Sequence, residues 1–487
     1  MVSMDVWSKA RVLIRTKSEW RRQASGRRLV QLPSGENEAL LGDASGAKGA
    51  HYVREPWWRG DLQAVKGFLS NWVHLLLVAV PLGILAGALK WNSVYVFCLN
   101  FLALIPLALL LGDVTEDLAL RYGSVIGGLI NATFGNIVEI ILSIAALFHG
   151  LYIVVAASLL GSILSNLLLV TGCSFFFGGL YNKTQNFNPA GTQASSSLLF
   201  LAALAFLIPT GAGLMFSLEN PDDVDKMVLH ISRGTAVVLL LCYGCYLYFQ
   251  LRTHVDLFQD DANGGGNGGH RGNGEGDCEN AGGCGSGSGS GSGGRNGVES
   301  SESSHADEEP ELSLITSMLL LATITVTVAV ASEYLTASLE QFSKRSGLGE
   351  AFLGTIVLPI AGNACEHMTA VIVATKNKMD LSMSVAIGSS IQVALFAVPL
   401  AVVVGWISDT YVFGSSAILW SFTEDSQHRL CHPGHPFSLS FDPFAAMALM
   451  LSVAQVNFVT AGATSNWLLG VQLMALYVLL SLAFYFK

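Results

Sequence analysis

Charge is what this 487-residue sequence has least of. Asp, Glu, Lys and Arg together make up 13% of it, against 51% hydrophobic residues, where soluble domains carry about 25% charged side chains. A soluble globular protein of this length is excluded. Cysteine is too scattered to form a disulfide framework. There are eight, and Cys98, Cys173, Cys242, Cys245 and Cys365 fall in apolar stretches where a buried free thiol is expected. Cys242-Tyr-Gly-Cys245 has the spacing of half a metal site, but no second Cys or His pair completes the set of ligands. The layout of a cleaved secretory signal is missing too, because the first apolar run begins near residue 70 behind a polar, Arg-rich stretch. Nucleophile–base pairs, phosphate-binding loops and paired His with a catalytic Glu are all lacking. Neither an enzyme nor a nucleic-acid partner is expected.

What is abundant is apolar length. Runs of about 20 residues, enough to cross a hydrocarbon core, recur eleven times: roughly 70–89, 93–112, 125–146, 152–177, 196–216, 231–251, 313–336, 351–374, 381–406, 443–463 and 467–486. The sequence thus predicts an all-α polytopic membrane protein of about eleven transmembrane helices in contact with lipid. Residues 1–68 hold 12 of the 26 Lys and Arg, including Arg21-Arg22 and Arg27-Arg28, so the positive-inside rule puts this tail in the cytosol. Lys376 and Lys378 agree with that orientation, whereas Lys344 and Arg345 do not. Eleven crossings then put the C-terminus, at Lys487, on the other side.

Residues 253–312 are the one long break. From Gly264 to Gly297 they are dominated by Gly, Ser and Asn, a flexible coil. Between Asp256 and Glu311 twelve acidic residues face two Arg, a net of −10 that equals the formal charge of the whole chain. The expected organisation is a basic tail (1–68), a leading helix (69–92), a first five-helix unit (93–252), a cytosolic linker (253–312) and a second five-helix unit (313–487). The last carries an atypical polar loop at 407–440. Asp307, Glu308, Glu309 and Glu311 of the linker face the same compartment as the tail. Docking of the tail on them, held by opposite charge and released by cytosolic cation, is the expected regulatory device.

One polar phrase occurs twice, 227 residues apart at every matched position. Gly135-Asn136-Ile137-Val138-Glu139, followed by Gly161-Ser162-Ile163-Leu164-Ser165, returns as Gly362-Asn363-Ala364-Cys365-Glu366, followed by Gly388-Ser389-Ser390-Ile391-Gln392. Each half has an odd number of spans, so the second enters the membrane in the opposite sense. The duplication reads as an inverted repeat whose two motifs meet near the bilayer midplane. A carboxyl at that depth costs about 2.5 kcal/mol or more and is a functional candidate by default. Helix periodicity puts Asn136 on the face of Glu139 and Asn363 on the face of Glu366; Ser162 shares a face with Ser165, and Ser389 with Gln392. No Lys or Arg neutralises the two carboxyls. An oxygen-only environment of this kind suits a hard divalent cation such as calcium.

Calcium takes about six to eight oxygens and two carboxyls supply at most four, so backbone carbonyls must help. Pro359 with Gly362, and Gly127-Gly128 with Gly135, are where the helices are expected to loosen. Two bare carboxylates facing one another in the membrane repel and lack solvation. One calcium or two protons neutralise the pair, and that competition is proton antiport. His367, next to Glu366, is a third titratable group able to carry or relay a proton, with plain packing as its alternative. Any single Asn or Ser here could merely hydrogen-bond a neighbouring helix; the matched offset argues against that for the set.

At these residues the chain resembles the cation/proton exchanger family of the calcium/cation antiporter superfamily, the vacuolar calcium/proton antiporters of plants, algae and fungi. Thr115-Glu116-Asp117-Leu118-Ala119, the run from Gly128 to Glu139, and Gly362-Asn363-Ala364-Cys365-Glu366-His367 carry the resemblance, which spans roughly residues 70–406 and 443–487. It implies eleven spans, the first outside the two repeats, and calcium held between the Glu139 and Glu366 carboxyls. It further implies a site lined by Asn363, His367, Ser389 and Gln392, with Ser162 and Ser165 opposite. Family members sit in the vacuolar membrane and use its acidic lumen to load calcium; their tails can be inhibitory and their central acidic segment can bind cation. Two departures stand out. Only Glu299 to Glu311 resembles the family's short acidic helix, and the loop with His428, Cys431, His432 and His435 is longer and more polar than usual. A solvated loop is the expected role of that loop.

The function expected is therefore calcium/proton antiport from the cytosol into an acidic vacuolar lumen, by alternating access at a two-glutamate site. Its partners would be calcium, protons and lipid, with no resident cofactor; a homo-oligomer is compatible with the sequence. The rival readings are a sodium/calcium exchanger, an exchanger of manganese or cadmium, a channel, and an intramembrane metalloenzyme. The last is disfavoured because adjacent Glu366 and His367 point about 100° apart on a helix.

Overall fold

Inside hydrocarbon every backbone amide must find its partner within its own segment or a closed barrel. The computed structural model, which describes residues 57–69, 72–216, 221–254, 310, 312–412 and 437–487, is accordingly helical almost throughout. In chain order the helices are α1 (Trp57–Phe68), α2 (Ala79–Ala88, continuing a 3-10 helix at Trp72–Val78), α3 (Ser93–Phe134) and α4 (Ile137–Phe148). Next come α5 (Tyr152–Tyr181), α6 (Pro189–Met215), α7 (Val224–Thr253), α8 (Leu314–Ser346) and the bent pair α9 (Glu350–Gly362) and α10 (Ala364–Thr375). The series closes with α11 (Met379–Ile407), α12 (Pro443–Thr460) and α13 (Trp467–Tyr485). Among the described residues the one sheet is a short antiparallel bridge between β1 (Gln185–Asn186) and β2 (Thr464–Ser465).

Eight of these helices are long and apolar enough to cross a membrane, or nine if α9 and α10 form one span. The count of eleven is thus not reached by length and composition. Two expected spans fall short for physical reasons. The leading one is apolar only over Val73–Ala88, and the third is cut at Asn136, leaving Ile137–Phe148 as a short apolar helix. Residues between 112 and 125 stay within the helical stretch Ser93–Phe134, but the chain bends sharply there and the apolar span ends at Tyr122. A Cβ on Gly127 would stand 2.3 Å from the Ala119 carbonyl oxygen, whereas a straight helix separates residues eight apart by about 12 Å.

Several helices also extend beyond their apolar windows to polar caps. Asn188 accepts from the Ala190 and Gly191 amides with Pro189 in the first turn, so α6 starts earlier than expected. Ser313 opens α8, and Gly347, at φ 73°, ends it in the left-handed conformation that glycine tolerates. Lys344 and Arg345 are therefore the last turn of a helix, not a loop.

Contacts between chain turns fall into two groups. In one, Gln185 donates to Ala374 O (2.8 Å) and Asn377 Oδ1 (3.1 Å), the Asn188 amide donates to Asp380 Oδ1 (2.5 Å), and β1 pairs with β2. Asp61 of α1 also accepts from the Ser313 amide (2.9 Å) and from the Ser313 and Thr316 hydroxyls (2.7 and 2.6 Å), while Asp117 of α3 accepts from the Ser317 hydroxyl (3.2 Å). Burial raises the Asp61 carboxyl, but those hydrogen bonds and nearby Arg121 outweigh it and hold the group below its ordinary value. In the other group, Arg345 donates to Asn92 Oδ1 (2.5 Å), His149 meets Glu333 (2.7 Å), and Lys487 pairs with Asp442.

The tightest helix packing sits beside the broken helices. A Cβ on Gly161 of α5 would stand 2.2 Å from the Thr355 carbonyl oxygen of α9, and one on Gly354 would stand 2.6 Å from the Ala157 Cβ. Small residues are what let membrane helices approach this closely.

Candidate cation site

Both copies of the polar phrase break a helix at the same place. Asn136 leaves the helix at φ −107°, ψ 21°, and Asn363 at φ −85°, ψ 18°. Each is followed at once by a new helix, α4 or α10, and in the second copy the axis turns by 58°. Glu139 and Glu366 therefore occupy the first turns of α4 and α10, where unsatisfied amides and the helix dipole favour negative charge. Both are buried, 6% and 8% exposed, and close enough for their charges to repel. Neither oxygen of Glu139, nor Oε2 of Glu366, meets a hydrogen-bond partner on another residue. The Glu139 carboxyl presses on the opposite break: a Cβ on Gly362 would stand 2.8 Å from Glu139 Oε1. Opposite, α3 comes so close to α10 that a Cβ on Gly112 would lie 2.3 Å from Cys365 Sγ.

The two amides are held across the duplication, each by the other copy's serine. Ser389 Oγ donates to Asn136 Oδ1 at 2.9 Å, and Ser162 Oγ donates to Asn363 Oδ1 at 2.9 Å. Asn136 Nδ2 donates to Gln392 Oε1, and Asn363 Nδ2 to the Ser162 carbonyl at 3.2 Å. This swap is what a two-fold relation between the copies demands. His367 meets the Asn363 carbonyl through Nδ1 at 2.7 Å, while its Nε2 is buried without a partner. Ser165 is buried at the start of a π turn, Ser165–Val170, and the matched Gln392 immediately precedes another, Val393–Ala397. Such turns widen a helix and recur at functional sites.

Glu139, Glu366, Asn136, Asn363, Ser162, Ser389, Gln392 and His367 thus come together, with Ser165 one turn from Ser162. Of the expected loosening points, Gly135 and Gly362 adjoin the breaks, and Pro359 lies in the last turn before the second. Gly127 adjoins the sharp bend of α3, where a Cβ on it would lie 2.3 Å from the Ala119 carbonyl oxygen. Asp307, Glu308, Glu309, Glu311, most of the tail, and His428, Cys431, His432 and His435 lie outside the described residues.

Sequence reasoning missed three groups. Asn166 Nδ2 donates to Ser389 Oγ at 2.9 Å; an offset search discards it because position 393 is Val. Tyr477 of α13, a helix with no motif, buries its hydroxyl in the neighbourhood of Ser165, and neither hydroxyl meets a hydrogen-bond partner among the described residues. Ser143 and Ser158 line a cavity beside Glu139 together with Ser162, Pro359 and Gly362; the matched residues Ala370 and Val385 are apolar.

A family model described as sodium/calcium exchanger protein matches residues 92–252 and 316–486, enclosing both breaks and both carboxyls. The chain belongs to that family. Among its relatives, the vacuolar calcium ion transporter of Schizosaccharomyces pombe is 36% identical over 418 residues, covering 86% of this chain and 85% of the relative. The Ca(2+)/H(+) antiporter of Synechocystis is 40% identical over 412 residues, covering 85% and 96%. The solved structure of native YfkE superposes with a TM-score of 0.60 at 30% identity, over 85% of this chain and all of that one. In its selenium-substituted form that protein is described as a Ca2+/H+ antiporter. Membership makes this chain a multi-pass membrane transport protein built on the exchanger fold.

Proposed function

We propose that the chain is a calcium/proton antiporter of an acidic vacuolar compartment, moving calcium out of the cytosol against protons at Glu139 and Glu366. One observation carries the reading: two buried carboxyls, one from each copy, with both oxygens of Glu139 and Oε2 of Glu366 left without a partner on another residue, among amide and hydroxyl oxygens. Oxygen-only surroundings select a hard divalent cation, and an ion-free pair of carboxylates is relieved by protons. Sequence relatives that carry out calcium transport and calcium/proton antiport support the same chemistry.

The two contact groups support an alternating path of eleven crossings. The turns that touch α1, the linker end and β1 all follow an even number of expected spans, and those touching Asn92, His149 and Lys487 an odd number. A basic cytosolic tail then puts the C-terminus in the lumen. Vesicles of purified protein should accumulate calcium when an acid-inside pH gradient is imposed, and a protonophore should abolish the uptake. A sodium gradient without a pH gradient should drive none. Calcium entry that ignores both manipulations would instead indicate a channel.

His367 is assigned a part in proton handling, because its free Nε2 is buried one residue from Glu366. His367→Ala should move the pH dependence of uptake while leaving the apparent calcium KM within about threefold, a change of less than about 0.7 kcal/mol. An unchanged pH profile would return His367 to packing.

A further inference from the structure

The cavity beside Glu139 breaks the symmetry of the duplication. It lies between α4, α5 and α9, and Glu139, Ser143, Ser158 and Ser162 form its polar wall. Ser143 sits one turn beyond Glu139 on the same face of α4. It is 2% exposed, and its hydroxyl meets no hydrogen-bond partner. Ser158 precedes Ser162 by one turn of α5 and donates to the Val155 carbonyl at 3.1 Å, which leaves its oxygen able to accept. The space is of single-water size. The second repeat has Ala370 and Val385 at the matched positions, so it lacks these two hydroxyls.

We propose that Ser143 and Ser158 hold a water that is a further oxygen ligand of the ion at Glu139. The inference rests on calcium being the cargo. Two carboxyls supply at most four of the roughly six to eight oxygens calcium takes. A water in this cavity would direct a lone pair at the ion and donate its two hydrogens to the serine oxygens. Water-mediated contacts of this kind are nearly as favourable as direct ones. The two carboxyls are then unequal: the ion is better ligated on the Glu139 side, and the water is shed or retained as the repeats exchange roles.

Ser143→Ala combined with Ser158→Val installs the second repeat's own residues. In purified full-length protein, radioactive calcium binding should weaken about five- to tenfold, and the KM for uptake should rise in parallel. Ser143→Thr keeps a hydroxyl and should stay within about twofold of the parent. Affinity unchanged in the double variant overturns the proposal, as does a Thr variant no better than Ala. If the double variant fails to fold, Ser143→Ala alone decides, with about a threefold weakening expected. A parent protein that binds calcium with this serine dependence yet moves none on a pH gradient would sink antiport and uphold the water. A working antiporter with serine-independent affinity would do the reverse.

Discussion

Glu139→Gln and Glu366→Gln should each cut pH-driven calcium uptake by about a hundredfold or more, which corresponds to only about 2.7 kcal/mol. The amide keeps the shape of the side chain and one acceptor oxygen. What it loses is the charge that binds calcium and the ability to take up a proton when calcium leaves. Neither half of the exchange survives that loss, so a partial defect is not expected. Both side chains are buried in the first turn of a broken helix, and neither amide would break a hydrogen bond that the carboxyl makes to another residue. The variants should therefore fold, elute and melt like the parent, which separates lost chemistry from lost structure. Removing a charge from a desolvated ion site is worth more than the hundredfold requires. Uptake within about threefold of the parent in either variant would sink the two-carboxylate site.

The chemistry was legible because duplication makes it redundant. A buried Glu with an Asn three residues earlier is ambiguous once; repeated at one offset, it marks Glu139 and Glu366 together. Apolar runs likewise located most helices. Their ends were less legible, because caps such as Asn188, Ser313 and Gly347 lie in polar flanks outside any hydropathy window. The break after Gly135 was foreseeable as a weak point, but not that it would fall on Asn136. Periodicity gives the face on which a side chain lies, not which face it meets. The exchange of partners, Asn136 with Ser389 and Asn363 with Ser162, is a tertiary fact. So is the approach of Tyr477, from a helix whose sequence carries no polar motif.

Gly161 and Gly388 occupy the same place in the two repeats, yet their substitution by Ala should have opposite effects on stability. At Gly161 the new Cβ would stand 2.2 Å from a backbone oxygen, that of Thr355, which cannot rotate away. Helices α5 and α9 would have to separate, and with them the contact of Gly354 on Ala157. Gly161→Ala should therefore lower the melting temperature sharply and reduce uptake in proportion to folded protein lost. At Gly388 nothing lies within 4 Å of the new Cβ, and Ala in a helix interior is favoured over Gly by about 0.5–1 kcal/mol. Gly388→Ala should melt at or slightly above the parent temperature.

Transport is the more telling measurement. Exchangers built from inverted repeats reach their second state by letting the repeats trade conformations. In that state Gly388 would take the close approach now made by Gly161, against Gly127-Gly128 of α3, the matched counterparts of Gly354 and Thr355. A Cβ at position 388 obstructs that approach, so the stable variant should transport several-fold more slowly. Full-rate uptake by Gly388→Ala would refute the exchange of roles, and a Gly161→Ala protein that melts like the parent would refute the close packing behind it.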